Sequence, residues 1–439
     1  MNKMIGLCLN QVKPSFRLAS TAGVTLSLCT NLFVSSVNAA SETARSADSF
    51  VDSIGVNTHL YYQNSAYYQK YEELIKPKLL ELGVRHIRDG GTRNLNGYLD
   101  RLKELAKQGI RCTLSFDPRT ITPQEAVALN KELGKDVVAG VQGPNEYNNS
   151  GDSNWVNTLR NYQQQLFKAI KGDSATASLP VYGPSLTSED AINAVGDLSN
   201  SIDYAAMPNY YSGRHPGTQG WGFNGYGSLK WNVDLIRKYG GSKPVVTVET
   251  GYHNTTSAEG HMGVPEEVAG KYYPRLFLEQ FNYGIHRTFG YELINESNDG
   301  NNLYKNFGLL RHDGSEKPAF VALKNLIRVL KDPGPNFTPT ALDYVLSGNT
   351  TNVHHTLLQK RDKKFYLVLW QEVSGFEVNA RQYINVPTQQ VTLTLNTPIA
   401  KATTYLPNKS TQWVKQDTNP KQITLDVPDY PMVVELEPS

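Results

Sequence analysis

A chain of 439 residues with 19% charged and 10% aromatic side chains has the composition of a folded globular protein, not of a disordered or fibrous one. Its length suits a barrel of roughly 250–300 residues with one accessory domain. The formal charge of +2 falls by three, to −1, without the first 39 residues, which carry Lys3, Lys13 and Arg17 and no acid; a near-neutral balance gives no footing for nucleic acid or an anionic membrane surface.

Residues 1–39 read as a signal peptide. A positive segment precedes an apolar, small-residue stretch from Leu18 to about Phe33, and Val37-Asn38-Ala39 fits the small-x-Ala cleavage rule. The expectation is an exported protein, secreted or periplasmic, whose mature chain starts at Ala40 or Ser41. No other stretch approaches the roughly 18–20 apolar residues of a membrane span. Cys8 and Cys29 fall in the leader, so Cys112 stands alone and the mature fold holds itself by packing.

Eight strand signals follow: 54–59, 84–89, 111–117, 137–146, 180–185, 202–211, 244–250 and 287–294. Helical patterns run between them. Tyr98, Leu102, Leu105 and Ala106 share one face, and Gly109 closes that helix. Pro265 with Glu266 and Glu267 opens another, and Phe320, Leu323, Ile327 and Leu330 line a last one. This alternation predicts an α/β fold, a (β/α)₈ TIM barrel over residues 40–332. No Gly-rich fingerprint follows the first strand, which weighs against a dinucleotide-binding sheet. Asp332-Pro333-Gly334-Pro335 breaks the pattern. Beyond it, period-2 runs at 364–370, 391–395, 423–427 and 432–437 predict a small antiparallel β-sandwich over residues 336–439.

Active sites of such barrels lie at the C-terminal ends of the strands. Strand four ends in Gly143-Pro144-Asn145-Glu146 and strand seven in Val248-Glu249-Thr250, each glutamate after an apolar run. These strands face each other across the mouth, so their carboxyls can converge. Two carboxyls about 5–5.5 Å apart are what hydrolysis of a glycosidic bond with retention requires: one protonates the leaving oxygen, the other attacks the anomeric carbon.

With these residues the chain resembles glycoside hydrolase clan A over roughly residues 50–330. The resemblance implies a retaining glycosidase, with Glu146 as acid/base, Asn145 holding the sugar 2-hydroxyl and Glu249 as nucleophile. Arg88, late in strand two, matches the clan's arginine that hydrogen-bonds the nucleophile. The clan's strand six often ends His-x-Tyr; here Tyr210 takes the tyrosine place, Pro208 stands where histidine is usual, and Tyr211 is a rival. Tyr147 stands where many members have proline. The clan spans β-linked glucans, xylans, mannans, galactans and some α-linked arabinosides, so the implied partner is a polysaccharide or oligosaccharide, with no cofactor and no metal.

His59, at the end of strand one, is either a sugar contact or a satisfied core histidine, and Glu292 either faces the mouth or braces a loop. Trp221, Phe223 and Tyr226 lie in a Gly-rich loop after strand six, where planar rings either stack on sugars or pack beneath a lid; Trp221 is the candidate substrate contact. A second Asn-Glu pair, Asn295-Glu296, lies in a polar loop beyond strand eight and reads as structural. The oxygen-rich run 298–302 lacks the EF-hand spacing and reads as a solvated turn. A metal-dependent barrel hydrolase would want paired histidines at the end of strand one, which offers only His59. The competing class is a non-catalytic carbohydrate-binding barrel, which could have lost a carboxylate; both are present.

Overall fold

The computed structural model describes residues 40–93 and 95–439; the leader, with its Val37-Asn38-Ala39 site, lies outside them. Eight parallel strands form a nearly closed barrel: Ile54–Asn57, His86–Gly90, Arg111–Ser115, Val138–Gln142, Val181–Tyr182, Ala205–Pro208, Val245–Thr250 and Arg287–Gly290. The eighth pairs with the first, Thr288 opposite Ile54 and Gly290 opposite Val56, as closure of a barrel requires. The fifth and sixth meet at one parallel bridge, Tyr182 with Tyr204, where Gly183 N donates to Tyr204 O at 2.9 Å.

Strands one, four, seven and eight are buried at every position, as expected where a parallel sheet is covered on both faces. Tyr182, Ala206, Val246, Val248 and Phe289 pack together as one cluster. Gly55 makes room for the Phe289 ring, which a β-carbon there would meet at 2.5 Å. Outside, Tyr98–Lys107 buries Tyr98, Leu102 and Leu105, and Gly109 follows it with φ +86°. Pro265 caps Glu266–Tyr283, with Glu266 and Glu267 in the first turn, where acids complement the helix dipole. Pro318–Leu330 buries Phe320, Leu323, Ile327 and Leu330.

The tail is a two-sheet sandwich. Ala341–Gly348, Gln389–Leu395 and Gln422–Val427 belong to a four-stranded sheet. Val353–Gln359, Phe365–Gln371, Ile399–Tyr405, Trp413–Thr418 and Met432–Pro438 belong to a six-stranded one. Leu342, Leu367, Leu369, Leu393, Leu425 and Val434 fill the space between them. Residues 40–46, which the sequence pattern puts with the barrel, complete both sheets instead. Ala40–Thr43 runs antiparallel to Ala341–Gly348 along its otherwise open side, and Arg45–Ser46 pairs with Val353–Gln359. Exposed sheet edges carry unpaired backbone groups, and the start of the chain satisfies them here. Leu358, Tyr366, Val368, Trp370 and Val433, from the six-stranded sheet, join the barrel's own core.

Candidate active site

Glu249 is the penultimate residue of the seventh strand, and Glu146 lies four residues past the end of the fourth. The chain turns sharply between Gln142 and Glu146. A β-carbon at Gly143 would lie 1.7 Å from Gln163 Oε1, so glycine lets this turn pass the buried Gln163 amide without displacing it. Glu146 has φ +48° and ψ +35°, a left-handed conformation uncommon for a non-glycine residue, and its N–H donates to Ser185 O at 2.9 Å. The fifth strand's continuation thereby fixes the backbone that carries Glu146.

Arg88 is the hub of the mouth. Its Nε donates to Gln142 Oε1 at 2.6 Å, its Nη1 to Asn57 Oδ1 at 2.7 Å and Glu249 Oε1 at 2.9 Å, and its Nη2 to Asn145 Oδ1 at 2.7 Å. Asn57 is itself held, Nδ2 donating to Val248 O at 3.0 Å. Four acceptors from the ends of strands one, four and seven thus orient one planar guanidinium. The other oxygen of Glu249 accepts from Tyr210 Oη at 3.2 Å. Tyr211 turns away: its buried hydroxyl accepts from Asn209 Nδ2 at 3.2 Å and Gln280 Nε2 at 3.1 Å. The tyrosine at the carboxylate is therefore Tyr210.

The two carboxyls differ in surroundings. Burial, then the nearby charge of Glu249, pushes Glu146 up to about 7, with Arg88 opposing. No partner donates to the Glu146 side chain among the bonds of the described residues, whereas both oxygens of Glu249 are held by donors, one of them cationic. Burial, with the charges of Glu249 and Glu146, raises the Tyr210 phenol well above its ordinary value, so it stays a donor.

His59 stands at the mouth beside the end of strand eight. Its ring stacks on Tyr62 at 4.6 Å, and its Nε2 lies 3.3 Å from Tyr291 Oη and 3.5 Å from Glu292 Oε2. Burial and the Arg88 charge pull its pKa down to about 3, so the imidazole is neutral. Glu292 is wholly buried, accepts from Tyr67 Oη at 2.8 Å, and is raised well above the carboxylate range by burial and by Glu296. Of the second Asn-Glu pair, Asn295 is structural: it is buried and accepts from Gly308 N at 2.9 Å and Lys317 Nζ at 2.8 Å. Glu296 instead joins His59 and Glu292, the ligand atoms of the three all within 4.8 Å of one another.

Trp221 braces its own loop. It packs edge-on to Tyr226 with centroids 5.7 Å apart, lies 4.4 Å beneath Arg214, and fills the space that a β-carbon at Gly227 would need. Phe223 is the outward ring of that loop, 97% exposed.

The sequence reading leaves out Asn57, Gln142, Tyr67 and Tyr291. The first two carry a usable signal: each is a polar residue closing an otherwise apolar parallel strand, the position where a barrel presents its site.

No family model matches this chain, and no curated protein does. Solved structures do. A family 39 glycoside hydrolase from the gut symbiont Bacteroides cellulosilyticus WH2 superposes with a TM-score of 0.62 at 16% identity, over 90% of this chain and 81% of that one. A glucosidase from Croceicoccus marinus superposes with a TM-score of 0.58 at 10% identity, over 91% and 98%. At such identities the likeness is one of fold: a TIM barrel carrying a C-terminal β-domain.

Proposed function

We propose that this protein is a retaining glycoside hydrolase of a polysaccharide or oligosaccharide, working by double displacement. The observation that carries the reading is the unequal treatment of two carboxyls at one mouth. Arg88 and Tyr210 bond the two oxygens of Glu249, which suits an ionised nucleophile, while Glu146 is left undonated and raised to about 7. A carboxyl with that pKa is protonated at rest near neutrality and can act as general acid.

In the first step Glu249 attacks the anomeric carbon as the bond to the leaving oxygen breaks, and the Glu146 proton passes to that oxygen. The product is a glycosyl ester on Glu249, which no longer carries negative charge. The Coulombic push on Glu146 then disappears and its carboxylate becomes the stable form. In the second step Glu146 takes a proton from water, the water oxygen attacks the anomeric carbon, and Glu249 is released with net retention. Asn145 lines the mouth as a sugar contact. The 211–227 loop, stiffened by Trp221, forms one wall of the cleft.

Product stereochemistry followed by NMR on the wild-type enzyme tests the mechanism: retention is expected, and inversion at the anomeric carbon would overturn the assignment. A binding-only barrel would give no turnover on a glycan panel while still binding. The leader composition supports export, checked by N-terminal sequencing of periplasmic or secreted material for a start at Ala40 or Ser41.

A further inference from the structure

We propose that His59, Glu292 and Glu296 form a site for one first-row divalent cation of the zinc or manganese class, at the barrel mouth beside the carboxyl pair. The three come from separate places: His59 follows strand one, Glu292 follows strand eight, and Glu296 lies in the loop beyond. Barrel closure brings them together, since strands eight and one pair directly. Their ligand atoms all lie within 4.8 Å of one another, with His59 Nε2 3.5 Å from Glu292 Oε2. Atoms bonded at about 2.0–2.2 Å to one ion in tetrahedral geometry stand about 3.3–3.6 Å apart. A shift of up to about 1 Å, open to the half-exposed Glu296 side chain, closes the set on a cation.

An independent observation points to a ligand. Glu292 is wholly buried, and its Oε1 has no hydrogen-bond partner. A buried carboxyl oxygen without a partner is costly, and a bound cation would supply the partner that Oε1 lacks. Lys317 and Lys305 act on these acids only through space: among the described residues no lysine or arginine forms an ion pair with Glu292 or Glu296, and Lys317 donates to Asn254, Asn295 and Asn306 instead. A second cluster, Glu279, His354 and Glu372, differs on this point, because Arg275 already compensates it.

The surroundings also hold the ligands in place. Tyr67 donates to Glu292 Oε2, and Tyr62 stacks on the imidazole so that its Nε2 faces the cluster. Partners of this kind orient the residues that bind a metal. One neutral imidazole nitrogen with two carboxylates suits zinc or manganese, whereas calcium takes six to eight oxygens.

The test needs no substrate, so its failure is separable from failure of the hydrolase reading. Chelator-stripped wild-type protein is dialysed against ZnCl₂ and, separately, MnCl₂, and bound metal is measured by mass spectrometry. One ion per chain is expected. Glu296→Gln and His59→Asn should each weaken binding at least about tenfold, since even residues that only orient a ligand cost about 10–100-fold. Circular dichroism confirms that each variant is folded; the two are independent, so one that misfolds leaves the other to decide. Uptake well below one ion per chain, equal uptake by a folded variant, or calcium bound as tightly as zinc would each overturn the proposal.

Discussion

Glu146 and Glu249 are the same side chain in two environments, and on the proposed hydrolase reading the contrast predicts how activity responds to pH and to substitution. An acid catalyst must be protonated, so kcat/KM should fall as pH rises through about 7, the value to which burial and Glu249 push Glu146. A pH profile flat from 6 to 9 would contradict that role. Glu146→Ala should slow hydrolysis of poor leaving groups by about 10²–10⁴-fold, the usual range for general acid–base catalysis. Azide, which needs no general base, should restore turnover of activated substrates and give a glycosyl azide of retained configuration. Glu249→Gln should abolish turnover, because no ester can form. At this scale the sequence was informative where a charged side chain ended an apolar run: Glu146, Glu249 and Arg88 lie where strand order puts them. Tyr210 could not be told from Tyr211 until the neighbours of each hydroxyl were known. The His59–Glu292–Glu296 cluster was illegible, because barrel closure makes it and no local period records it.

Elements were legible in proportion to their periodicity. The helices Tyr98–Lys107 and Pro318–Leu330 bury the stripes their spacing predicts, whereas Arg45–Ser46 is too short to leave a period, and only pairing with the tail reveals it. The 211–227 loop is the instructive case, because its aromatic content shows that rings matter without showing which ring does what. Trp221 is half-buried against Gly227, Tyr226 and Arg214, while Phe223 is almost fully exposed. Trp221→Ala should therefore cost roughly 1–3 kcal/mol, less than the 3–5 kcal/mol of a full core truncation because the ring is only half-buried, and should loosen the loop. Phe223→Ala should leave the melting temperature within about 1 °C, since surface changes stay within about 0.5 kcal/mol. If the loop walls the cleft, Phe223→Ala should raise KM on a polymer. Thermal melts and kinetics on both variants check this; an unchanged melt for Trp221→Ala would contradict the bracing role.

At the scale of the whole molecule, one buried acid links the sandwich to a barrel helix and to the 211–227 loop. Glu372, just past the strand Phe365–Gln371, accepts from Arg275 Nε at 2.9 Å and Nη2 at 2.6 Å, from Trp370 Nε1 at 2.8 Å, and from Gly217 N at 2.8 Å, and its Oε1 lies 2.7 Å from His215 Nδ1. Arg275 lies on the helix Glu266–Tyr283 packed on the barrel, while His215 and Gly217 belong to the 211–227 loop, so one sandwich residue ties down both. Nothing in the tail's alternating pattern announces this, since the partners are about 100 and 155 residues away. Burial alone would raise the Glu372 pKa, but Arg275 and His215 outweigh it and hold the group well below the usual glutamate range. A depressed folded-state pKa contributes stability that is fully present above the unfolded value and is lost as pH falls below it. The wild-type protein should therefore lose stability as pH drops from about 5 toward 2, within the range where the unfolded glutamate titrates. Glu372→Gln leaves buried Arg275 without its ion-pair partner, which should cost about 3–5 kcal/mol at pH 7. It should also flatten the acid limb and speed amide exchange in residues 211–227. Denaturant melts from pH 7 to 3 and hydrogen exchange read these outcomes; a variant as stable as wild type at pH 7, with the same acid sensitivity, would show that the sandwich is only an appended domain.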